Sequence, residues 1–156
     1  MYRSNSWYRL VSAQCWHDGT SPVAVGSHTI YPAAGRDLTP NDILRFDTVN
    51  TLRAAVHTAV GVAIERGWRG ECVHIPMQDF GCWPADVLRF QAERLIVSIA
   101  GGARVCLACK GGHGRTGTLI AAAITIAEPA CEDPVVAVRA VRTRHCKKAI
   151  ETRAQI

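Results

Sequence analysis

The stretch Val105-Cys-Leu-Ala-Cys109-Lys-Gly-Gly-His-Gly-Arg115-Thr-Gly-Thr118 decides how the chain is read. An apolar run of strand length, 104–108, feeds a glycine-dense turn over 110–114, and an apolar helical pattern leaves it over 115–127. Pro129 ends that helix. A buried strand that turns sharply into a helix is a building unit of α/β folds.

Working outward, the same alternation repeats. Upstream, 72–75 reads as a short strand running into Pro76, 77–84 as a loop, and 85–99 as a helix. That helix carries Leu88, Ala92, Leu95, Ile96 and Ile99 on one face, and Gly101-Gly102 stops it. Leu52, Val56, Ala59, Val60 and Ala63 predict a helix over 51–66, closed by Gly67 and Gly70. Short strands are expected at 22–26 and 28–31, while 41–50 is ambiguous. Downstream, Asp133 caps a helix over 134–145 with Pro134 at its first position, and a last short helix is expected from Ala149. No repeat, low-complexity tract or linker interrupts the chain, so residues 1–156 are expected to form one α/β domain. Its centre is expected to be a mainly parallel sheet flanked by helices.

Composition narrows the classes. With 48% apolar and 20% charged residues, the 156-residue chain is globular rather than disordered. No apolar run approaches the ~18 residues of a membrane span, and residues 1–18 lack the apolar core of a secretion signal. Seven cysteines, an odd number, read as reduced thiols in a cytoplasmic compartment rather than a disulfide framework. The charge of +5 points to an anionic partner without naming it. The basic run Arg139, Arg142, Arg144, Lys147 and Lys148 has no interleaved aromatics, so a nucleic-acid groove is not favoured, and part of it reads as the outer face of a helix.

The turn carries the chemistry. Backbone N–H groups of Lys110, Gly111, Gly112, His113, Gly114 and Arg115 can converge on one anion, and the following helix adds the positive end of its dipole. The same field favours a thiolate at Cys109. Arg115, six residues on, can fold back so that its planar fork holds two phosphate oxygens. Thr116 can offer its hydroxyl to the sulfur. These parts suit phosphoryl transfer to a cysteine nucleophile.

Three other readings use the same residues. Gly112-His-Gly-Arg-Thr-Gly117 fits G-x-G-x-x-G, but no acidic residue stands about 20 positions on to hold a ribose. Cys106-x-x-Cys109 with His113 could be a zinc or thioredoxin-like pair, yet no second ligand pair of matching spacing follows. A plain glycine turn around a core cysteine leaves Arg115 and the three glycines unexplained.

The spacing C-x5-R-[ST], extended to C-x-x-G-x-x-R-T-G by Gly112 and Gly117, resembles the cysteine-based protein tyrosine phosphatase superfamily, and the chain length resembles its compact dual-specificity group. The resemblance implies Cys109 as nucleophile, Arg115 and the loop amides as phosphate ligands, Thr116 as an aid to sulfur departure, and no metal or organic cofactor. The segment His74-Ile-Pro-Met-Gln-Asp79-Phe-Gly-Cys-Trp-Pro84 resembles that group's acid loop and implies Asp79 as general acid, later base. Asp86, in Trp-Pro-Ala-Asp, is the competitor; a place in the first turn of a helix accounts for it as well. Gln155, on the expected last helix, matches a Gln that places hydrolytic water in several branches. Many members carry histidine immediately before the nucleophile; here that residue is Ala108. The implied substrate is a phosphorylated protein, with phosphoinositides, inositol phosphates and RNA 5′-triphosphate ends as alternatives. A phosphate-binding module without turnover is the non-enzymatic alternative. Histidines other than His113 form no constellation along the sequence. An oxidised Cys109 is expected to find a disulfide partner in Cys106 or Cys82.

Overall fold

A computed structural model describes residues 17–52, 57–77 and 82–150. Five strands, β1 (Val23–Val25), β2 (His28–Ala34), β3 (Thr48–Thr51), β4 (Glu71–His74) and β5 (Val105–Cys109), form a sheet of order β1-β2-β5-β3-β4. β2–β5, β5–β3 and β3–β4 are parallel, and only the β1–β2 edge is antiparallel. The expected mainly parallel α/β sheet is therefore the observed one. The helices are α1 (Pro40–Ile43), α2 (His57–Glu65), α3 (Ala85–Ala100), α4 (Gly114–Ala127) and α5 (Pro134–Arg144), with a 3-10 turn at Pro129–Cys131.

β5 is central and buried throughout. Successive side chains of a strand alternate between faces. Val105, Leu107 and Cys109 thus enter the core built with α3, α4 and α5, whereas Cys106 and Ala108 enter a second core with Ile43, Phe46, Val60 and Trp68. A sheet covered on both faces needs near-continuous apolar strands, which Val-Cys-Leu-Ala-Cys supplies.

Three boundaries differ from the sequence reading. β2 continues through Pro32 to Ala34, beyond the expected 28–31. Proline is tolerated there because the β1 ladder ends at Ile30 and only an isolated Asp18–Ala33 bridge follows. The expected helix 51–66 begins too early: Thr51 ends β3, and Leu52 donates its N–H to Ala108 O at 2.8 Å. Pairing with both β4 and β5 outweighs the helical spacing in this segment. The ambiguous 41–50 resolves into α1, opened by a Thr39–Asp42 capping box, and β3. At the far end, Ala149 and Ile150 are not helical, and Ile150 has φ +63. The rest of the expected last helix lies outside the described residues. Asp133 caps α5 through Val135 N, with Pro134 in the first turn, as expected. Among the described residues, no helix is long and apolar enough to cross a membrane.

Candidate active site

Cys109 is the last residue of β5, at the carboxyl end of the parallel strands, where α/β sheets open their ligand crevices. The neighbouring strand ends hold its backbone: Gly35 N donates to Cys109 O at 2.6 Å, and Leu52 N to the preceding Ala108 O at 2.8 Å. Residues 110–113 then turn, and α4 starts at Gly114. Gly112 N donates to Cys109 Sγ at 3.2 Å, so the turn curls around the sulfur. The N-terminus of α4, the positive end of its dipole, faces the same turn.

Gly112 is fixed as glycine by two constraints. Its φ is +74, and a Cβ would stand 3.0 Å from the backbone of Ala33 and Ala34. Neither neighbour can yield, because both belong to β2. Gly112→Ala is expected to destabilise the protein by about 1–3 kcal/mol, read as a lowered thermal midpoint. An unchanged midpoint would contradict this tight loop–β2 contact. Gly117 lets the 149–150 segment approach α4: a Cβ there would lie 3.0 Å from Ala149 Cβ.

Arg115 is only 5% exposed. Its Nη1 donates to Met77 O at 3.3 Å, which ties the base of the loop to the segment after β4. The other end of that segment is held by Trp83, whose Nε1 donates to Pro76 O at 2.8 Å. Asp79 lies between these anchors but outside the described residues, as does Gln155. Asp86 is exposed in the first turn of α3. Thr116 Oγ1 is buried without a hydrogen-bond partner among the described residues. Lys110 is exposed beside the turn.

His113 is half-buried rather than solvent-facing. Its Nε2 lies 3.0 Å from Nε2 of His17, whose ring centroid is 4.5 Å from that of His145. His145 Nε2 lies 2.6 Å from Gly112 O. The expectation that the other histidines form no constellation is therefore corrected, since residues 17, 113 and 145 meet only through the fold. Burial first, then the neighbouring imidazoles and Arg36, pushes His17 down to about 3. Burial, His145, Lys148 and Arg36 push His113 down to about 4. His145 is also lowered, by burial, against a raising contribution from its bond to Gly112. All three rings are thus neutral at pH 7.

One further expectation changes. Cys106 cannot capture an oxidised Cys109. The two residues point to opposite faces of β5, and three strand steps separate their Cα atoms by about 10 Å, beyond disulfide reach. The same geometry removes the zinc or thioredoxin reading of that Cys pair. The basic run is exposed, as expected of part of it, and two of its arginines also make specific bonds. Arg144 pairs with Glu128 through both terminal nitrogens and reaches Ala24 O, and Arg142 donates to Ala149 O and Ile150 O at 3.0 Å each. Arg142 thereby holds the segment that closes over α4.

No protein-family model matches the chain. Two uncharacterized proteins of Methanocaldococcus jannaschii are similar to it, one 30% identical over 83 residues and one 28% identical over 92. These matches take in 53% and 59% of the chain and only 53% and 55% of the two relatives, about half their length. Among solved structures, Tk-PTP in its active form is similar with a TM-score of 0.68 and 23% identity, over 87% of this chain and 91% of that one. Kinase associated phosphatase, with its catalytic cysteine replaced by serine, gives 0.70 and 14%, over 86% and 88%. OH1 from the Orf virus, a tyrosine phosphatase of triple substrate specificity, gives 0.60 and 16%, over 96% and 92%. The chain has the fold of the compact tyrosine and dual-specificity phosphatases.

Proposed function

We propose that the protein is a cysteine-dependent phosphatase that hydrolyses phosphomonoesters in two steps. The carrying observation is the loop itself, with Gly112 N–H on Cys109 Sγ and the buried Arg115 closing its base. Both the amide and the α4 dipole stabilise negative charge on sulfur and on a phosphate above it. In the first step Cys109 Sγ attacks phosphorus and the ester oxygen leaves with a proton from Asp79. In the second, water activated by Asp79 attacks the phosphocysteine, and sulfur departs as thiolate with the Thr116 hydroxyl beside it. The loop amides of residues 110–115 and the Arg115 fork hold the equatorial oxygens throughout. Gln155 orients the water. The reaction needs no metal or organic cofactor and requires reduced thiols, as in a cytoplasmic setting.

A phosphorylated protein is the first substrate class, with tyrosine as the favoured residue. A second reading, a more highly charged non-protein phosphate, is favoured by the positive rim. Lys110 is exposed next to the loop, and Arg36 and Lys148 are close enough to push His113 down.

Purified protein is expected to turn over p-nitrophenyl phosphate under reducing conditions with a chelator present. No turnover would overturn the enzyme reading and leave a phosphate-binding module. Phosphopeptides, inositol phosphates and triphosphate-ended RNA, assayed side by side, separate the substrate classes. Asp79→Asn is expected to cut the rate by about 10²–10⁴-fold for substrates with poor leaving groups, and much less for p-nitrophenyl phosphate, whose leaving group needs little protonation. Full rate in Asp79→Asn with loss in Asp86→Asn would transfer the acid role to Asp86.

A further inference from the structure

At His113 of the loop, the fold gathers side chains to which the proposed hydrolysis assigns no role. We infer that His17, His113 and Cys146 form a binding site for a soft divalent cation, zinc foremost. Their ligand atoms, one from each side chain, lie within 4.8 Å of one another. The two Nε2 atoms are 3.0 Å apart. Tetrahedral zinc, with bonds of about 2.0–2.3 Å, sets neighbouring N and S ligands about 3.3–3.6 Å apart. Reaching that geometry requires the two Nε2 atoms to part by a few tenths of an ångström and Cys146 Sγ to lie within about 3.6 Å of each.

The three ligands come from distant parts of the chain. His17 precedes β1, His113 is the residue before α4, and Cys146 follows α5. The backbone under them is well tied. His113 O accepts from Gly117 N at 2.8 Å and from Ile150 N at 3.3 Å, and Cys146 N donates to Val141 O at 3.4 Å. A cavity of about 130 Å³ lined by His17, Asp18, Pro32, Arg144 and His145 borders the cluster on the His17 side. Two imidazoles and one thiolate leave a fourth position for water. This donor set selects zinc-like ions over magnesium or calcium, which prefer oxygen.

Binding has a defined proton balance. Without the cation the two Nε2 atoms share one hydrogen. On binding, the donor ring moves that proton to its Nδ1 through solvent, and both Nε2 lone pairs bond the metal. The Cys146 thiol loses its proton to solvent, so one proton is released per cation. The bound cation cross-links residue 17, the loop and the segment after α5.

The site is independent of the phosphatase proposal, and its test involves no turnover. Cobalt(II), a spectroscopic stand-in for zinc, is added to the full chain carrying Cys109→Ser, so that the loop sulfur cannot contribute. The expected result is tetrahedral visible absorption with a thiolate charge-transfer band, both displaced by zinc. Adding Cys146→Ser is expected to abolish the charge-transfer band, and adding His17→Gln to weaken cobalt binding by more than about ten-fold. Absence of a thiolate band in Cys109→Ser overturns the site, as does its persistence after Cys146→Ser. Circular dichroism reports whether each variant folds. If Cys146→Ser does not fold, His17→Gln decides, because it alters a half-buried ring outside both cores. Unchanged cobalt affinity in that variant overturns the proposal.

Discussion

Cys109→Ser is expected to lower p-nitrophenyl phosphate turnover by at least about 10⁴-fold, to the limit of detection, with the fold retained. Serine nearly preserves volume at a residue 4% exposed in the core, and it can still accept the Gly112 N–H. What it cannot do is present an anionic nucleophile at neutral pH, since its hydroxyl is far less acidic than a thiol. The rest of the proposed phosphate cradle, the loop amides and Arg115, is unchanged in this variant. It should therefore still bind an inert oxyanion such as tungstate, seen as a raised thermal midpoint. Loss of turnover with retained anion binding is the expected pair of results. Full turnover in Cys109→Ser would locate the chemistry elsewhere and overturn the mechanism.

Arg115→Lys is expected to lower kcat/KM by about 10²–10³-fold although the positive charge is kept. Guanidinium offers a planar fork that can hold two oxygens at once while a further N–H holds Met77 O; an ammonium on a flexible stem cannot do both. A lowered kcat together with a raised KM would mean that the fork both binds the phosphate and steadies its transition state. A wild-type rate in Arg115→Lys would mean that charge alone suffices, and the proposed two-oxygen grip would fall. The lysine also removes the bridge to the segment after β4. An additional loss for poor leaving groups is therefore expected, because that segment leads into Asp79.

Legibility in the sequence followed the range of the forces involved. Strand, glycine turn and helix around Cys109 are local. Apolar periodicity, Gly112 at positive φ and the stop at Pro129 act over a few residues, so 105–127 could be read almost to its ends. α3 and α5 were readable for the same reason, through Leu88–Ile99 periodicity and the Asp133-Pro134 start. β3 was not, because Thr48–Thr51 becomes a strand by pairing on both sides, and helical spacing downstream masked it. β2 was read short because a proline inside a strand is acceptable only where a neighbouring ladder has ended, and the sequence does not show where β1 stops.

By itself, the sequence determined a strand, glycine turn and helix bearing Cys109 and Arg115, and an α/β class to hold them. Contiguous residues set both. Tertiary structure alone decided which distant groups meet. It brought Met77 to Arg115. It also gathered His17, His113, His145 and Cys146 from both ends of the chain against the loop. Such meetings depend on sheet order and on the return of the chain after α5, which no local pattern records.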